Sequence, residues 1–262
     1  MPTAIVVGTP SGVSPRRVGL IFVFFLILAT CRPEGKLPPR IAIAQKEKDS
    51  YLAELYRAKG VVYPPQMVYL RAFKREQLLE VWSKSNSDVK FTLIKIYQVC
   101  RQSGGPGPKR KEGDRQVPEG FYQLDRFNER SKFYLSLGLN YPNASDLILS
   151  DPDHPGGDIF IHGDCVSLGC LAMTNNSMKE IFWIAYQARE NGQKDIPVHI
   201  FPYRFGQGRK SDRGLEPAEL KSFWRKLREG HAFFEAHGYP PVVGVDQAGI
   251  YRFSEPGIDS KN

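Results

Sequence analysis

Residues 160–174 of this 262-residue chain read FIHGDCVSLGCLAMT. A short apolar strand in this stretch ends at His162, and Cys170 follows eight positions later, after a loop that contains Gly163 and Gly169. A thiol becomes an effective nucleophile when a neighbouring group takes its proton. The spacing therefore suggests Cys170 as a nucleophile and His162 as its general base. A histidine and a cysteine this close are more often a structural pair, so further residues have to decide between the two interpretations.

Backbone groups of the same stretch complete a candidate site for acyl transfer. The turn through Gly169 can aim the amides of Gly169 and Cys170 at a developing oxyanion, and one such donor typically stabilises the transition state by about 3 kcal/mol. A further group must orient the imidazole. The carbonyl of Gly163 is our candidate, because no acidic residue is obviously placed for this role, and Asp164 is the alternative.

Outward from this stretch, the apolar pattern predicts a mainly β domain with short peripheral helices, an α+β fold. Period-two alternation predicts strands at residues 67–73, 90–99, 121–124, 132–139, 159–161 and 197–203. Helical spacing predicts helices at residues 49–59, 74–83, 177–190 and 216–238. The second of these helices rests on Leu78, Leu79 and Trp82, and the third begins at a capping box of Ser177 and Glu180.

Residues 1–31 are predicted to be an export segment. Residues 18–30 form an uninterrupted apolar run of 13 residues, which is shorter than the roughly 20 residues of a membrane-spanning helix but suits a secretory signal. The sequence LATC that ends at Cys31 resembles the bacterial lipobox, in which the cysteine is lipidated. Cleavage without lipidation and an uncleaved anchor are the alternatives. Residues 32–48, rich in proline and lysine, predict a flexible tether, so contact with a membrane is expected only through this N-terminal segment.

Charge and cysteine spacing argue against two kinds of partner. The net charge is +8, but lysine and arginine are spread over most of the chain, which argues against a nucleic-acid-binding stripe. The four cysteines contain no CxxC pair, so we expect neither a metal site nor a cofactor.

If Cys31 is processed and Cys170 is catalytic, only Cys100 and Cys165 remain for a disulfide. We expect Cys165 instead to be a small buried residue, with a redox partnership with Cys170 as the alternative.

Residues 100–120 predict a long loop rich in glycine, proline and charge. It contains three adjacent cationic residues, Lys109, Arg110 and Lys111. Long loops inside a domain are usually functional or disordered. Adjacent cations are commonly a solvated surface, but they would also suit a groove that accepts substrate carboxylates. We therefore name Lys109 and Arg110 as candidate substrate-binding residues. Ser167 is a third candidate, and its alternative is an ordinary role within its turn.

The pattern Ile-His-Gly followed by Ser-x-Gly-Cys, within residues 161–170, resembles the active-site signature of the YkuD-type L,D-transpeptidases. Residues 107–122, 135–143 and 162–174 are similar to the YafK branch of that family. The resemblance covers residues 94–204 and implies the family's β-sandwich catalytic domain there, with the cysteine and histidine named above as nucleophile and base. Residues 49–93 are then an N-terminal extension, and residues 205–262 are a C-terminal helical extension.

Two positions depart from the wider family. Most of its transpeptidases carry a histidine between the serine and glycine of the motif and an arginine two residues after the cysteine, where this chain has Leu168 and Ala172. The YafK branch shares both departures and is linked to cleavage of a peptidoglycan bond. The resemblance therefore implies a periplasmic amidase that cuts between the meso-diaminopimelate of a peptidoglycan stem peptide and the C-terminal lysine of a Braun-type lipoprotein. The alternatives are an L,D-transpeptidase that forms cross-links or attaches protein, and a non-catalytic wall-binding lipoprotein.

Overall fold

The computed structural model describes Met1 and residues 37–206 and 218–257. By its internal contacts the chain divides into two units, Met1–Lys36 and Leu37–Asn262. All helices and strands of the described residues belong to the second unit. The predicted export segment with Cys31, the first residues of the predicted tether, and the predicted start of the last helix lie outside the described residues.

The described residues contain ten strands and four α-helices. The helices are α1 (Pro39–Ala58), α2 (Ala144–Leu149), α3 (Asn175–Glu190) and α4 (Lys221–His237). The strands are β1 (Met67–Phe73), β2 (Leu78–Lys84), β3 (Thr92–Gln98), β4 (Gly120–Asn128), β5 (Ser136–Leu139), β6 (Phe160–His162), β7 (Leu171–Ala172), β8 (Pro197–Phe201), β9 (Val242–Val245) and β10 (Tyr251–Ser254). The prediction of a mainly β fold with peripheral helices is confirmed. None of the helices in residues 37–206 and 218–257 has the length and apolar character needed to cross a bilayer.

Eight of the strands form one mixed sheet in the order β3-β2-β1-β8-β4-β5-β6-β7. Neighbouring strands are antiparallel except for the parallel pairs β1–β8 and β6–β7. Strand β8 lies between β1 and β4, so it joins one half of the sheet, β3-β2-β1, to the other half, β4-β5-β6-β7. The remaining strands, β9 and β10, form a separate antiparallel hairpin.

The two edges of this sheet meet just after β3. Arg101 pairs with Ala172 of β7, and the amide of Cys100 donates to the carbonyl of Ala172 at 2.8 Å. Since β3 and β7 are opposite edge strands, the sheet is curled until its edges touch, which supplies partners to backbone groups that an open edge would leave unpaired. A disulfide between Cys100 and Cys165 forms beside this junction.

Strand β1 shows how helices cover both faces of the sheet. Alternate residues of a strand point to opposite faces. On one face of β1, Val68, Leu70 and Ala72 pack into the larger core with side chains of α1 and α3. The intervening Tyr69 and Phe73 pack in aromatic clusters with Phe234 and Trp224 of α4. Each fully buried leucine or phenylalanine contributes about 1.5–3 kcal/mol to folding, so both helical layers support the sheet that carries the site.

Residues 74–83, predicted as a helix, form a turn and most of strand β2, so that prediction is wrong. Leu79, Val81 and Ser83 alternate along β2 and are each 0% exposed, and β2 pairs with β1 along its whole length. Over so short a segment, the leucines and Trp82 fit a period of two as well as a helical period. Pairing with the neighbouring strands decides the outcome.

Helix α1 begins at Pro39, ten residues before the predicted start at residue 49, and so occupies much of the predicted tether. Proline is favourable in the first turn because its missing N–H would have no partner inside the helix. Ile41 and Ala44 of this first part are buried in the larger core. Helix α3 is also capped differently from the prediction, since the side chain of Thr174, rather than Ser177, occupies the N-cap position.

Candidate active site

The pairing of β6 with β7 brings His162 and Cys170 to one cavity. The two strands are parallel, and their register sets His162 opposite Ala172. Cys170 directly precedes β7, so it lies on the same face as His162 at a diagonal position. Both side chains line a cavity of about 320 Å³ whose walls also include Phe133 and Phe160. The two predicted catalytic residues therefore share one concave site.

The imidazole of His162 is fixed in one orientation. It is 2% exposed, its ring centre lies 4.8 Å from that of Phe133, and Nδ1 lies 2.6 Å from the carbonyl oxygen of Gly163. A carbonyl only accepts, so Nδ1 carries the hydrogen, and Nε2 is the nitrogen that can accept a proton. Asp164, the alternative orienting group, instead accepts from Asn175 at 2.9 Å. The carbonyl of Gly163 is thus in contact with the imidazole that we expected it to orient.

The thiol of Cys170 is half-buried, with Sγ 3.8 Å from the carbonyl oxygen of Asp158. Burial raises the pKa of the Cys170 thiol, while the positive charge of Lys109 acts in the opposite direction. Burial lowers the pKa of the His162 imidazole. A thiol with a raised pKa beside an imidazole with a lowered pKa leaves both groups neutral at pH 7. If the two groups act as nucleophile and base, the thiol proton would be transferred to the imidazole during attack, and the pair would not be a preformed ion pair.

This neutral pair predicts the acid side of the pH–activity profile. The folded-state pKa of His162 lies below its ordinary value of 6.5, so the imidazole remains an unprotonated base at pH 6.5. Activity should fall only as the pH drops below 6.5 through that lowered pKa. Initial rates measured between about pH 4 and 8 should show this limb. The residual activity of His162→Gln should lack it, and a parent midpoint above pH 6.5 would contradict a neutral pair.

The amides that we assigned to an oxyanion hole are already hydrogen-bonded. The amide of Gly169 donates to Oγ of Ser103 at 2.7 Å, and the amide of Cys170 donates to Oγ of Ser167 at 3.1 Å. Ser167 Oγ in turn donates to the carbonyl of Cys170 at 2.7 Å. These contacts hold the turn from Ser167 to Cys170. They favour a role for Ser167 within its turn over a role in substrate binding. The oxyanion assignment of Gly169 and Cys170 stays a prediction. It requires each amide to donate to the oxyanion either in addition to its serine hydroxyl oxygen or in place of it.

The disulfide between Cys100 and Cys165 anchors the loop between His162 and Cys170. The expectation that Cys165 is an unbonded buried residue is wrong, because its sulfur is bonded to Cys100. Asp164 and Cys165 both have left-handed backbone conformations, with φ of 68° and 47°, which non-glycine residues rarely adopt. Cys170 is the free cysteine of the described residues. Only the curled sheet brings Cys100 to this loop, so no local signal in the sequence indicated the bond.

The two cations predicted to bind substrate are paired with carboxylates of the protein. Lys109 is 5% exposed and forms an ion pair with Asp114 at 2.7 Å. Arg110 forms an ion pair with Asp146 at 3.1 Å. Neither side chain is among those that line the cavity of Cys170, whereas Lys132 is. No local signal in the sequence marked Lys132, because it lies in a segment predicted as a strand and only the tertiary fold carries it to the cavity.

The two departures from the family signature have different surroundings. Leu168, two positions before Cys170, is 78% exposed. Ala172 is fully buried, opposite His162 in the β6–β7 ladder. A long cationic side chain at position 172 would have to leave this core, so the local packing agrees with alanine there.

The chain is similar to known proteins over most of its described length. Residues 68–200 match the YkuD family, described as the L,D-transpeptidase catalytic domain. YafK of Escherichia coli (strain K12), which its name assigns provisionally to the L,D-transpeptidases, is 36% identical over 191 residues, covering 72% of this chain and 74% of YafK. YafK of Escherichia coli O157:H7 matches to the same extent.

Two solved structures are also similar. The helical cell shape determining protein Pgp2 from Campylobacter jejuni is 24% identical, covers 60% of this chain and 55% of its own, and has a TM-score of 0.42. Bd1075 of Bdellovibrio bacteriovorus is 20% identical, covers 64% and 59%, and has a TM-score of 0.37. The chain thus spans less than two thirds of either solved protein.

Proposed function

Because the chain belongs to the YkuD family of L,D-transpeptidase catalytic domains, we propose that it is a peptidoglycan amidase with Cys170 as its nucleophile. The proposed substrate is the amide between meso-diaminopimelate of a stem peptide and the C-terminal lysine of a Braun-type outer-membrane lipoprotein. The observation that carries the proposal is the cavity shared by Cys170 and His162 beside the buried Ala172. Position 172 offers no cation to hold a second, acceptor peptide, which favours water as the acceptor.

The proposed reaction has two steps. Cys170 Sγ attacks the diaminopimelate carbonyl while His162 Nε2 takes the thiol proton, and the contact of Nδ1 with Gly163 keeps the ring in place. The tetrahedral intermediate then expels the lysine amine, which receives the proton from His162, and a thioester remains on Cys170. Water attacks the thioester, His162 takes a proton from the water, and the products are the free carboxylate and the regenerated thiol.

A second candidate function is L,D-transpeptidation, favoured by the catalytic-domain family to which the chain belongs. The first step is the same, but an amine of another stem or of a protein resolves the thioester in place of water. A non-catalytic wall-binding lipoprotein is the third candidate, and it would keep the cavity without turnover. These three candidates differ in their products, which makes them separable by one digestion.

We also propose that the enzyme acts in the periplasm. The predicted export segment supports this location, and lipidation at Cys31 would tether the enzyme to a membrane. The Cys100–Cys165 disulfide gives independent support, because such bonds persist in oxidising compartments and are rare in the reducing cytosol.

Digestion of sacculi that carry covalently bound lipoprotein tests the proposal. An amidase should release lipoprotein with a free C-terminal lysine and leave tripeptide stems on the wall, as mass spectrometry of both fractions would show. New diaminopimelate cross-links would instead identify a transpeptidase. Retention of the protein on sacculi with no change in either fraction would identify a wall-binding protein. Sacculi without bound lipoprotein are the matched control.

A further inference from the structure

We propose that Lys132 forms a carboxylate-binding subsite in the catalytic cavity, where it binds the side-chain carboxylate of diaminopimelate. This inference rests on the proposed function and specifies which group of the substrate the enzyme recognises. Diaminopimelate carries two carboxyl groups. One of them is in the bond to be cut, and the other remains as a carboxylate next to an ammonium group at the far end of a short methylene chain.

Lys132 is the cation of this cavity that has no protein partner among the described residues. It is exposed and lines the cavity together with Cys170 and His162. Across residues 37–206 and 218–257, its ammonium group forms no hydrogen bond and no ion pair. Arg126, which contacts the lining residue Asp158, is shared between Asp125 at 3.0 Å and Asp158 at 2.9 Å. A substrate carboxylate that enters the cavity would therefore find Lys132 uncommitted.

The backbone around Lys132 is held from two sides. The guanidinium of Arg40 in α1 donates to the carbonyl of Ser131 at 2.6 Å and also to the carbonyl of Tyr134. On the other side, the amide of Gly163 donates to the carbonyl of Phe133 at 3.0 Å. Lys132 thus lies between anchored residues, which limits the conformational freedom that the loop would lose on binding a ligand.

The other walls of the cavity match the rest of the diaminopimelate side chain. Phe133 and Phe160 supply apolar surface for its methylene groups. Asp158 also lines the cavity, and its carboxylate is 82% exposed. No ion pair within 4.0 Å joins Lys132 to Asp158 in the described structure. Asp158 pairs instead with Arg126 at 2.9 Å, so an unpaired cation and an exposed carboxylate shared with Arg126 face the cavity separately. That arrangement suits a zwitterionic end group and supplies a cation that position 172 lacks.

Calorimetric binding to the Cys170→Ala protein tests the subsite without turnover. The ligand is the tripeptide L-alanyl-γ-D-glutamyl-meso-diaminopimelate with its main-chain carboxyl group converted to a methylamide. The comparison ligand carries lysine in place of diaminopimelate, so it keeps the ammonium but lacks the side-chain carboxylate. Adding Lys132→Ala should weaken binding of the first peptide about tenfold, as expected for loss of one charge-assisted hydrogen bond, and should leave binding of the second peptide within about twofold. Lys132→Arg should retain most of the affinity.

Lys194→Ala is the matched control, because Lys194 is exposed and lies outside the cavity. The inference is overturned by equal losses for the two peptides, by no loss for either, by an equal loss in the Lys194 variant, or by failure of the Cys170→Ala protein to bind the first peptide. The sacculus digestion described above is independent of this titration. Selective, Lys132-dependent binding without release of lipoprotein would keep the subsite and reject the amidase.

Discussion

Replacing Cys170 with alanine is expected to slow the release of lipoprotein from sacculi by about a thousandfold or more. The change removes the sulfur that would form the proposed thioester. Cys170 is the free cysteine of the described residues, since Cys100 and Cys165 are bonded to each other, so no neighbouring thiol can replace it. The measurement is the initial rate of release from washed sacculi at equal concentrations of parent and variant.

The fold of this variant should be almost unaffected. Cys170 is only half-buried at the cavity, so the loss of one sulfur should change the free energy of unfolding by less than about 1 kcal/mol. Cys170→Ser is the matched variant of nearly equal size, and it should be similarly inactive because a hydroxyl is a weaker nucleophile than a thiol. A folded alanine variant that released lipoprotein at the parent's rate would rule out the thioester mechanism.

Removing the Cys100–Cys165 disulfide is expected to lower the free energy of unfolding by about 4 kcal/mol. The bond joins residues with a sequence separation of 65, and a cross-link over such a distance strongly restricts the unfolded chain. It also lies where the two edges of the sheet meet. Urea unfolding of the Cys100→Ser/Cys165→Ser variant, followed by tryptophan fluorescence, should therefore give a much lower midpoint than that of the oxidised parent.

The same variant should also be less active than the parent at urea concentrations below its unfolding transition, where it is still folded. Asp164 and Cys165 hold left-handed conformations between His162 and Cys170, and the bond to Cys100 helps to keep them there. Cys170→Ala protein treated with dithiothreitol is the control for the unfolding measurement, because reduction then breaks the Cys100–Cys165 bond with no thiol at position 170 to exchange with it. Its midpoint should drop to that of the double-serine variant. Equal midpoints for oxidised parent and double variant would show that strand pairing alone closes the sheet.

The catalytic stretch was predictable because its determinants are local. The apolar residues before His162 favour a buried strand, and the adjacent Gly163 places a carbonyl within reach of Nδ1, where the structure has it at 2.6 Å. The family signature then favoured a catalytic pair over a structural one, and the family itself is confirmed by the match over residues 68–200. The catalytic roles themselves stay predictions until the variants are measured.

Most of the predictions that the structure overturned depended on contacts between distant parts of the chain. Strand β2 fits a helical period until its pairing with β1 is known. Arg110 looked available for substrate because its partner, Asp146, is 36 positions away in the sequence. Lys132 looked unremarkable because only the tertiary fold places it in the cavity. The disulfide required knowledge that β3 and β7 meet. Local sequence indicates which groups can do chemistry, but the tertiary fold decides which of them are already paired.

The central position of β8 affects the order in which the molecule is assembled. Synthesis runs from the N-terminus, so β1 to β7 have all left the ribosome before β8, at Pro197–Phe201, can join the two halves of the sheet. Cys170 is only five positions from Cys165, and before the sheet closes either thiol can meet Cys100. A bond from Cys100 to Cys170 would trap an inactive chain. A chain that formed such a bond in an oxidising compartment would become active only after thiol–disulfide exchange moved the bond to Cys165 and freed the Cys170 thiol.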